Sequence, residues 1–199
     1  HPNPFLSFAV AVVALGSTFP SSMARPDEGM WLFEGLPLKV LKDKYKFEPT
    51  KEWLDHVRLG SVRFDTGGSG SFVSPNGLVM TNHHVALTTI QAVSTPEKDW
   101  VEPGFSAKKF GREVKGTDLT LRQLLEVKDD TKEILQAKAA DTSKAGNEWR
   151  KTAEEMCGAL SDKEKHIVAD LVPLYDGNQY RIYVYHVYDD VRLVFAPEK

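Results

Sequence analysis

The stretch Gly67-Gly68-Ser69-Gly70-Ser71-Phe72-Val73-Ser74-Pro75-Asn76-Gly77-Leu78-Val79-Met80-Thr81-Asn82-His83-His84-Val85 decides how this chain is interpreted. Two short apolar segments, Ser71–Val73 and Leu78–Met80, flank a Pro-Asn-Gly turn, which is the pattern of a β-hairpin. A polar Thr-Asn-His-His sequence follows the second strand directly. A histidine at a strand end suits a general base, because imidazole changes protonation near neutral pH and rigid backbone fixes the ring.

This stretch resembles the catalytic-histidine loop of chymotrypsin-clan serine proteases. In that clan, a Gly-Ser-Gly strand leads through a hairpin to Thr-Asn-x-His-Val or Thr-Ala-Ala-His-Cys. The register assigns the catalytic role to His84, the histidine just before Val85. We expect His83 to face away from the site, because neighbours on an extended chain point to opposite sides.

Further blocks of sequence select one family within the clan. They resemble blocks of the bacterial serine dipeptidyl-peptidases, the group that contains dipeptidyl-peptidases 7 and 11. In the family's order they are Asp27–Leu32, Gly67–Val85, Ile90-Gln91, Asp99–Phe105 and Asp190–Pro197. In many members, cysteines occupy the positions of Ser69 and Val85, and here both are replaced together. The resemblance implies a dipeptidyl aminopeptidase that acts on peptides with a free N-terminus.

A serine protease also needs a nucleophile and an orienting acid, and in this clan the chain order is histidine, aspartate, serine. No loop of the Gly-Asn-Ser-Gly-Ser-Pro or Gly-Asp-Ser-Gly-Gly type follows His84. Ser69 and Ser71 precede the histidine, which is the wrong order for a nucleophile. The resemblance puts the aspartate a little beyond the last block and the serine far downstream. We therefore expect an N-terminal fragment that carries only the catalytic histidine and is inactive alone.

Two alternative functions stay open. An HtrA-type serine endoprotease fits Gly70–Val73 and Thr81–Val85 nearly as well, and it would use Asp118 as its acid. Asp118 is better explained as a turn residue that enters a strand. The helical stretch after Asp118 and the Glu-Gly-Met-Trp start argue against this family. The other alternative, from a different class, is a secreted non-catalytic binding domain.

Composition narrows the classes of partner and cofactor. With 41% hydrophobic and 27% charged residues, the chain is globular, and a net charge of −3 argues against nucleic acid as a partner. We expect no cofactor and no metal, since no phosphate-binding loop and no zinc or calcium spacing is present, and His56, His166 and His186 stand alone. Cys157 shares a helical apolar face with Trp149 and Met156 and is expected to pack there. The expected partners are peptides, and a homodimer of the full-length protein is kept as an option.

The N-terminal segment predicts export. Phe5–Leu15 is one apolar run, too short to span a bilayer but of the length of a signal-peptide core. Ser22-Met23-Ala24 is an acceptable small-x-small cleavage site. The chain begins with histidine and lacks the usual basic start, so we expect this signal peptide to be clipped at its start. The predicted location is the periplasm or cell surface of a bacterium.

The predicted fold class is α+β, a chymotrypsin-like β half-barrel with a helical insertion. We divide the chain into a signal peptide (1–24), the N-terminal part of the protease domain (25–127), a helical insertion (128–172) and strands that return to the protease domain (173–199). Thr50 is predicted to cap a helix. Ser161-Asp162-Lys163-Glu164 fits a capping box, which predicts a second helix in the insertion running through Leu171.

Overall fold

The computed structural model describes residues 29–143 and 145–198. The predicted signal peptide and its cleavage site therefore lie outside the described residues. The chain divides into two compact units, His1–Trp31 and Leu32–Lys199, and the architecture below is that of the second unit. Within the described residues, no helix combines the length and the apolar character needed to cross a membrane.

The second unit is an α+β fold, as predicted. Its helices are α1 (Leu38–Tyr45), α2 (Lys51–Gly60), α3 (His83–Val93), α4 (Thr131–Ala140) and α5 (Trp149–Leu160). Its strands are β1 (Ser61–Phe64), β2 (Ser69–Phe72), β3 (Val79–Thr81), β4 (Phe105–Ser106), β5 (Val114–Lys115), β6 (Leu121–Asp129), β7 (Ile167–Leu174), β8 (Gln179–Tyr188), β9 (Arg192–Leu193) and β10 (Phe195–Ala196). Two short 3₁₀ turns occupy Phe33–Gly35 and Tyr175–Gly177.

A six-stranded sheet with the order β3-β2-β1-β6-β8-β7 organises the unit. All of its neighbouring strands are antiparallel. Two smaller antiparallel pairs, β4 with β10 and β5 with β9, lie outside this sheet. Two of the sheet's long strands, β7 and β8, are rich in β-branched and aromatic residues that suit a pleated, half-buried surface. The third, β6, has only Val127 of this kind and lies between β1 and β8.

The hairpin predicted at the start of the sheet is confirmed. β1 pairs with β2 and β2 pairs with β3, with Gly70 opposite Thr81. In the turn, the Ser74 hydroxyl oxygen accepts hydrogen bonds from the backbone N–H groups of Asn76 (3.3 Å) and Leu78 (3.1 Å). The Thr81 hydroxyl donates to the carbonyl oxygen of Ser69 at 2.7 Å and joins the two strands just before the histidines.

Two clusters of buried side chains pack the sheet against α3 and α5. The first consists of Val62, Phe64, Leu119 and Leu121, and Val85 packs against it. The second consists of Ala169, Ile182 and Val184, against which the α5 side chains Met156, Cys157 and Leu160 pack. The predicted apolar face of α5 is therefore confirmed. Burial raises the pKa of the Cys157 thiol, as expected for a side chain used in packing.

The capping prediction is confirmed at one helix and wrong at another. The Thr50 hydroxyl oxygen accepts from the Trp53 N–H at 3.2 Å and starts α2. Ser161, in contrast, ends α5, and residues 167–174 form β7 instead of a helix. The Asp162 carboxylate accepts the N–H of Glu164 (3.1 Å), which forms an Asx turn, whereas the Ser161 hydroxyl oxygen accepts the N–H of Ala169 (3.1 Å) and so makes no capping box. However, the full length of β7 pairs with β8, and this ladder outweighs the local pattern.

Candidate active site

The two histidines lie at the first turn of α3. β3 ends at Thr81, Asn82 is still extended (φ −75°, ψ 148°), and the helix begins at His83. The Asn82 carbonyl oxygen accepts hydrogen bonds from the N–H groups of Val85 (3.1 Å) and Ala86 (3.3 Å). The expectation of an extended chain through both histidines is therefore wrong. Side chains of helical neighbours diverge by about 100°, not 180°, and the structure leaves His84 exposed and His83 half-buried.

His84 borders a cavity of about 320 Å³ between α3 and the turn that joins β1 to β2. The residues that line it are Thr66, Gly67 and Gly68 from the turn and His84, Val85 and Thr88 from the helix. This volume lies at the lower end of the range of small-ligand pockets, about 300–1,000 Å³. It has room for one or two amino-acid side chains of a bound peptide.

The turn and the helix touch closely at Gly68. A Cβ atom added there would lie 2.6 Å from Val85 Cγ2, and the φ angle of Gly68 is +93°. Only glycine satisfies both conditions without strain, because other residues rarely adopt this φ and have no room for a side chain. Val85 in turn packs against the core cluster beside the sheet. The position of the first turn of α3, which carries His84, is thus set by the packing of Val85 on the core.

An ion-pair chain lies beside the same turn. The Asp65 carboxylate accepts from Arg122 Nε at 2.7 Å and from Thr120 Oγ1 at 2.5 Å. Arg122 Nη1 also donates to Asp170 Oδ2 at 2.9 Å. Burial raises the pKa of Asp65, but the hydrogen bonds from Thr120 and Arg122 outweigh it and hold that pKa below its usual value. No local motif predicts this group, because its members lie far apart in the sequence.

Within the described part of the chain, His84 makes no hydrogen bond or ion pair with another side chain. Asp118, the acid of the HtrA-type alternative, is an exposed turn residue with φ +51°. Among the described residues, no hydrogen bond or ion pair joins it to His84. The Ser71 hydroxyl has a structural partner, since it donates to the Gly60 carbonyl oxygen at 3.0 Å.

The other histidines and acidic pairs occupy separate places. His166 and His186 do not stand alone, because their rings stack 6.5 Å apart, and His166 Nδ1 lies 3.9 Å from the Asp189 carboxylate. Asp190 pairs with Arg192 through two hydrogen bonds of 2.8 and 2.9 Å. Across residues 29–143 and 145–198, no group of three or more His, Cys, Asp or Glu side chains could hold a metal ion.

Two of the sequence blocks singled out above pair with each other. Phe105 and Ser106 form β4, which lies antiparallel to Phe195 and Ala196 of β10. Gly104, with φ +74°, lies directly against this strand, and a Cβ there would be 2.6 Å from the carbonyl oxygen of Ala196. The Gly-Phe and Phe-Ala-Pro sequences are therefore two sides of one contact. This contact explains the glycine at position 104, because any side chain there would strike the backbone of β10.

Comparison with known proteins identifies a family of peptidases. The Peptidase S46 family model matches residues 26–199. The Asp/Glu-specific dipeptidyl-peptidase of Porphyromonas gingivalis is 32% identical over 190 residues, 89% of this chain and 26% of that protein. Dipeptidyl-peptidase 7 of the same organism is 30% identical over 205 residues, 94% of this chain and 27% of that protein. The chain thus spans about a quarter of the length of these relatives.

Solved structures agree with the fold. The crystal structure of Porphyromonas endodontalis DPP11 in complex with substrate has a TM-score of 0.74 and 25% identity, over 86% of this chain and 27% of that one. Another crystal structure of the same protein has a TM-score of 0.72 and 26% identity, over 87% of this chain and 26% of that one. Because the family model matches residues 26–199, most of its length, the chain belongs to the Peptidase S46 family.

Proposed function

We propose that this chain supplies the catalytic histidine of a serine-type dipeptidyl aminopeptidase. The observation that carries the proposal is His84, an exposed imidazole beside a cavity, in a chain whose relatives are dipeptidyl-peptidases. In the proposed mechanism, His84 accepts the proton of the serine hydroxyl as the serine attacks the scissile carbonyl. His84 then gives that proton to the leaving amine, and water repeats the cycle to release the dipeptide.

The aspartate and the serine are proposed to lie in sequence beyond this chain. This part of the proposal is supported by length, since the chain spans 26–27% of the two relatives described above. The exposed imidazole of His84 leaves it accessible to groups from another part of the protein. The 199-residue chain alone should hydrolyse no peptide, because a histidine without a nucleophile forms no acyl-enzyme. Robust turnover by this chain, abolished by a serine-directed inhibitor, would contradict this.

The test compares His84→Ala with His83→Ala in the full-length protein. The substrates are dipeptides linked to aminomethylcoumarin, with acidic or hydrophobic second residues, each with a free or an acetylated N-terminus. His84→Ala should lower kcat by about 10⁴-fold or more, as loss of a triad base does. His83 neighbours His84 on the same helical turn but does not line the cavity, so His83→Ala is the matched control and should retain activity within a few-fold.

Each result separates the functions under consideration. Cleavage that requires the free amino group supports the dipeptidyl aminopeptidase. Equal cleavage of acetylated substrates would instead support an HtrA-type endoprotease, and the Asp118→Asn variant would then be tested as its acid. Absence of turnover by the folded full-length protein on every peptide would leave the binding domain as the better description. Wild-type turnover by His84→Ala would refute the assignment of the histidine.

We further propose that the protein is exported to the periplasm or cell surface. The support is the apolar run Phe5–Leu15 followed by Ser22-Met23-Ala24. N-terminal sequencing of the protein from its native cells should give Arg25 as the first residue. Recovery of protein that still carries residues 5–24 would contradict cleavage at this site.

A further inference from the structure

The wall of the His84 cavity is a turn with few side chains of its own. Thr66, Gly67 and Gly68 form this wall, and two of the three residues have no side chain. Within the turn, the Gly67 N–H donates to the Phe64 carbonyl oxygen at 3.0 Å, and the Phe64 N–H donates to the Gly68 carbonyl oxygen at 3.1 Å. Because glycines leave the backbone free to adopt many conformations, the shape of the wall depends on contacts from outside the turn.

At its far end the turn contacts Val85 through Gly68. At its start, the outside contacts converge on Asp65, the residue that begins the turn. Its carboxylate accepts from Arg122 Nε at 2.7 Å and from Thr120 Oγ1 at 2.5 Å. Its backbone N–H donates to the Thr120 carbonyl oxygen at 3.2 Å. Three hydrogen bonds therefore tie the first residue of the turn to the start of β6.

Arg122 is itself held in place from two further strands. Its Nη1 donates to Asp170 Oδ2 on β7 at 2.9 Å, and its guanidinium lies 6.0 Å from the ring centroid of Tyr185 on β8. The Arg122 side chain is 22% exposed and the Asp65 side chain 30% exposed, so solvent screens this pair less than a surface pair. The turn is thus connected through Asp65 to three strands of the sheet.

We infer that Asp65, held by Thr120 and Arg122, is a positioning residue that fixes the Thr66–Gly68 wall against which the substrate beside His84 binds. This inference rests on the proposed peptidase function. The wall contacts bound peptide and not the proton that His84 transfers. Loss of the wall's shape therefore weakens binding of the ground state and the transition state alike, which raises KM and leaves kcat nearly unchanged.

The experiment measures kcat and KM of the full-length enzyme on the free-amine dipeptide substrate that it cleaves best. Asp65→Asn removes the charge but keeps the size of the side chain, and it should raise KM about tenfold because a charge-assisted bond is lost. Asp65→Glu keeps the charge and should recover part of that loss. Should Asp65→Asn not fold, Thr120→Val, which removes only the hydroxyl donor, is measured in its place and should raise KM about threefold.

Glu34→Gln is the matched control. Glu34 binds Arg181 on β8 in a bridge of similar exposure, 14% for the Arg181 side chain and 27% for Glu34, but it is not attached to the cavity turn. Its KM should stay within twofold of wild type. The inference is overturned if Asp65→Asn leaves KM unchanged, if it lowers kcat instead, or if Glu34→Gln raises KM equally. Full turnover by His84→Ala would refute the proposed function itself, whereas a silent Asp65→Asn beside an inactive His84→Ala refutes only this inference.

Discussion

Alanine substitutions at Gly67 and Gly68 separate two physical costs in the turn beside His84. Both residues have positive φ angles, +99° and +93°. Around Gly67, a new Cβ would meet no atom within 4 Å, whereas at Gly68 it would lie 2.6 and 2.9 Å from the two methyl carbons of Val85. Gly67→Ala therefore introduces backbone strain alone, and Gly68→Ala introduces the same strain together with a steric overlap.

The expected magnitudes follow from these distances. Left-handed backbone costs a residue with a Cβ about 1–2 kcal/mol. Forcing an extra methyl group into a packed site adds about 1–3 kcal/mol. Since about 1.4 kcal/mol corresponds to a factor of ten, Gly67→Ala should accelerate hydrogen exchange of the amides in β1, β2 and the first turn of α3 about 5- to 30-fold. Gly68→Ala should accelerate it by at least a further factor of about five.

The double variant Gly68→Ala/Val85→Ala tests the cause directly. Val85→Ala alone weakens core packing and speeds exchange. Combined with Gly68→Ala, it removes the methyl groups that the new Cβ would strike, so the two effects should be strongly non-additive. Hydrogen-exchange mass spectrometry of the peptides that cover these elements measures all four proteins. Equal effects of Gly67→Ala and Gly68→Ala, or strict additivity in the double variant, would refute the proposed contact between the turn and α3.

Two further predictions concern pH and self-association. Burial, the negative charge of Glu34 and the hydrogen bond to it raise the pKa of Tyr183 to about 12. The pKa of this tyrosine in the folded state thus exceeds its unfolded value of about 10. Its contribution to folding stability is therefore fully present below pH 10 and is lost as the pH rises from 10 to 12. Burial also raises the pKa of Tyr185 and of Tyr188. A titration followed by tyrosinate absorbance should therefore show a late-ionising component that is smaller in Tyr183→Phe, and an unchanged titration of that variant would contradict the prediction. Met80, which is 64% exposed on the edge strand β3, should promote association of the isolated chain. Met80→Lys should reduce light scattering at micromolar concentration. Phe110→Lys, at an 88% exposed position outside the strands, is the control. An equal reduction by both variants would argue against association through the edge strand.

The hairpin could be predicted from sequence because its determinants are local. The Ser-Pro-Asn-Gly turn and its alternating flanks lie within a dozen residues, and Thr81 completes the hairpin with a bond to Ser69. The helical start at His83 was missed because Val85 and Ile90 suit strands as well as helices. Only the packing of Val85 on the core and the burial of Ile90 decide between the two.

The remaining differences arise from contacts distant in sequence. Ser161–Glu164 matches a helix start locally, but the pairing of β7 with β8 imposes a strand on the next residues. The Asp65–Arg122–Asp170 chain could not be found by motif, because its members are separated by 57 and 48 positions. Charged residues at such distances have no periodic pattern, and only the strand order β1-β6-β8-β7 brings them together.

The pairing of β4 with β10 has a consequence for the order of folding during synthesis. Ser106 and Phe195 lie about 90 positions apart in sequence, whereas β7 and β8 are joined by a short turn. Contacts of long sequence separation form late, because closing a long loop costs more chain entropy than closing a short one. On the ribosome, the segment from Phe105 to Lys115 therefore waits for its partner strands until residue 196 has left the exit tunnel.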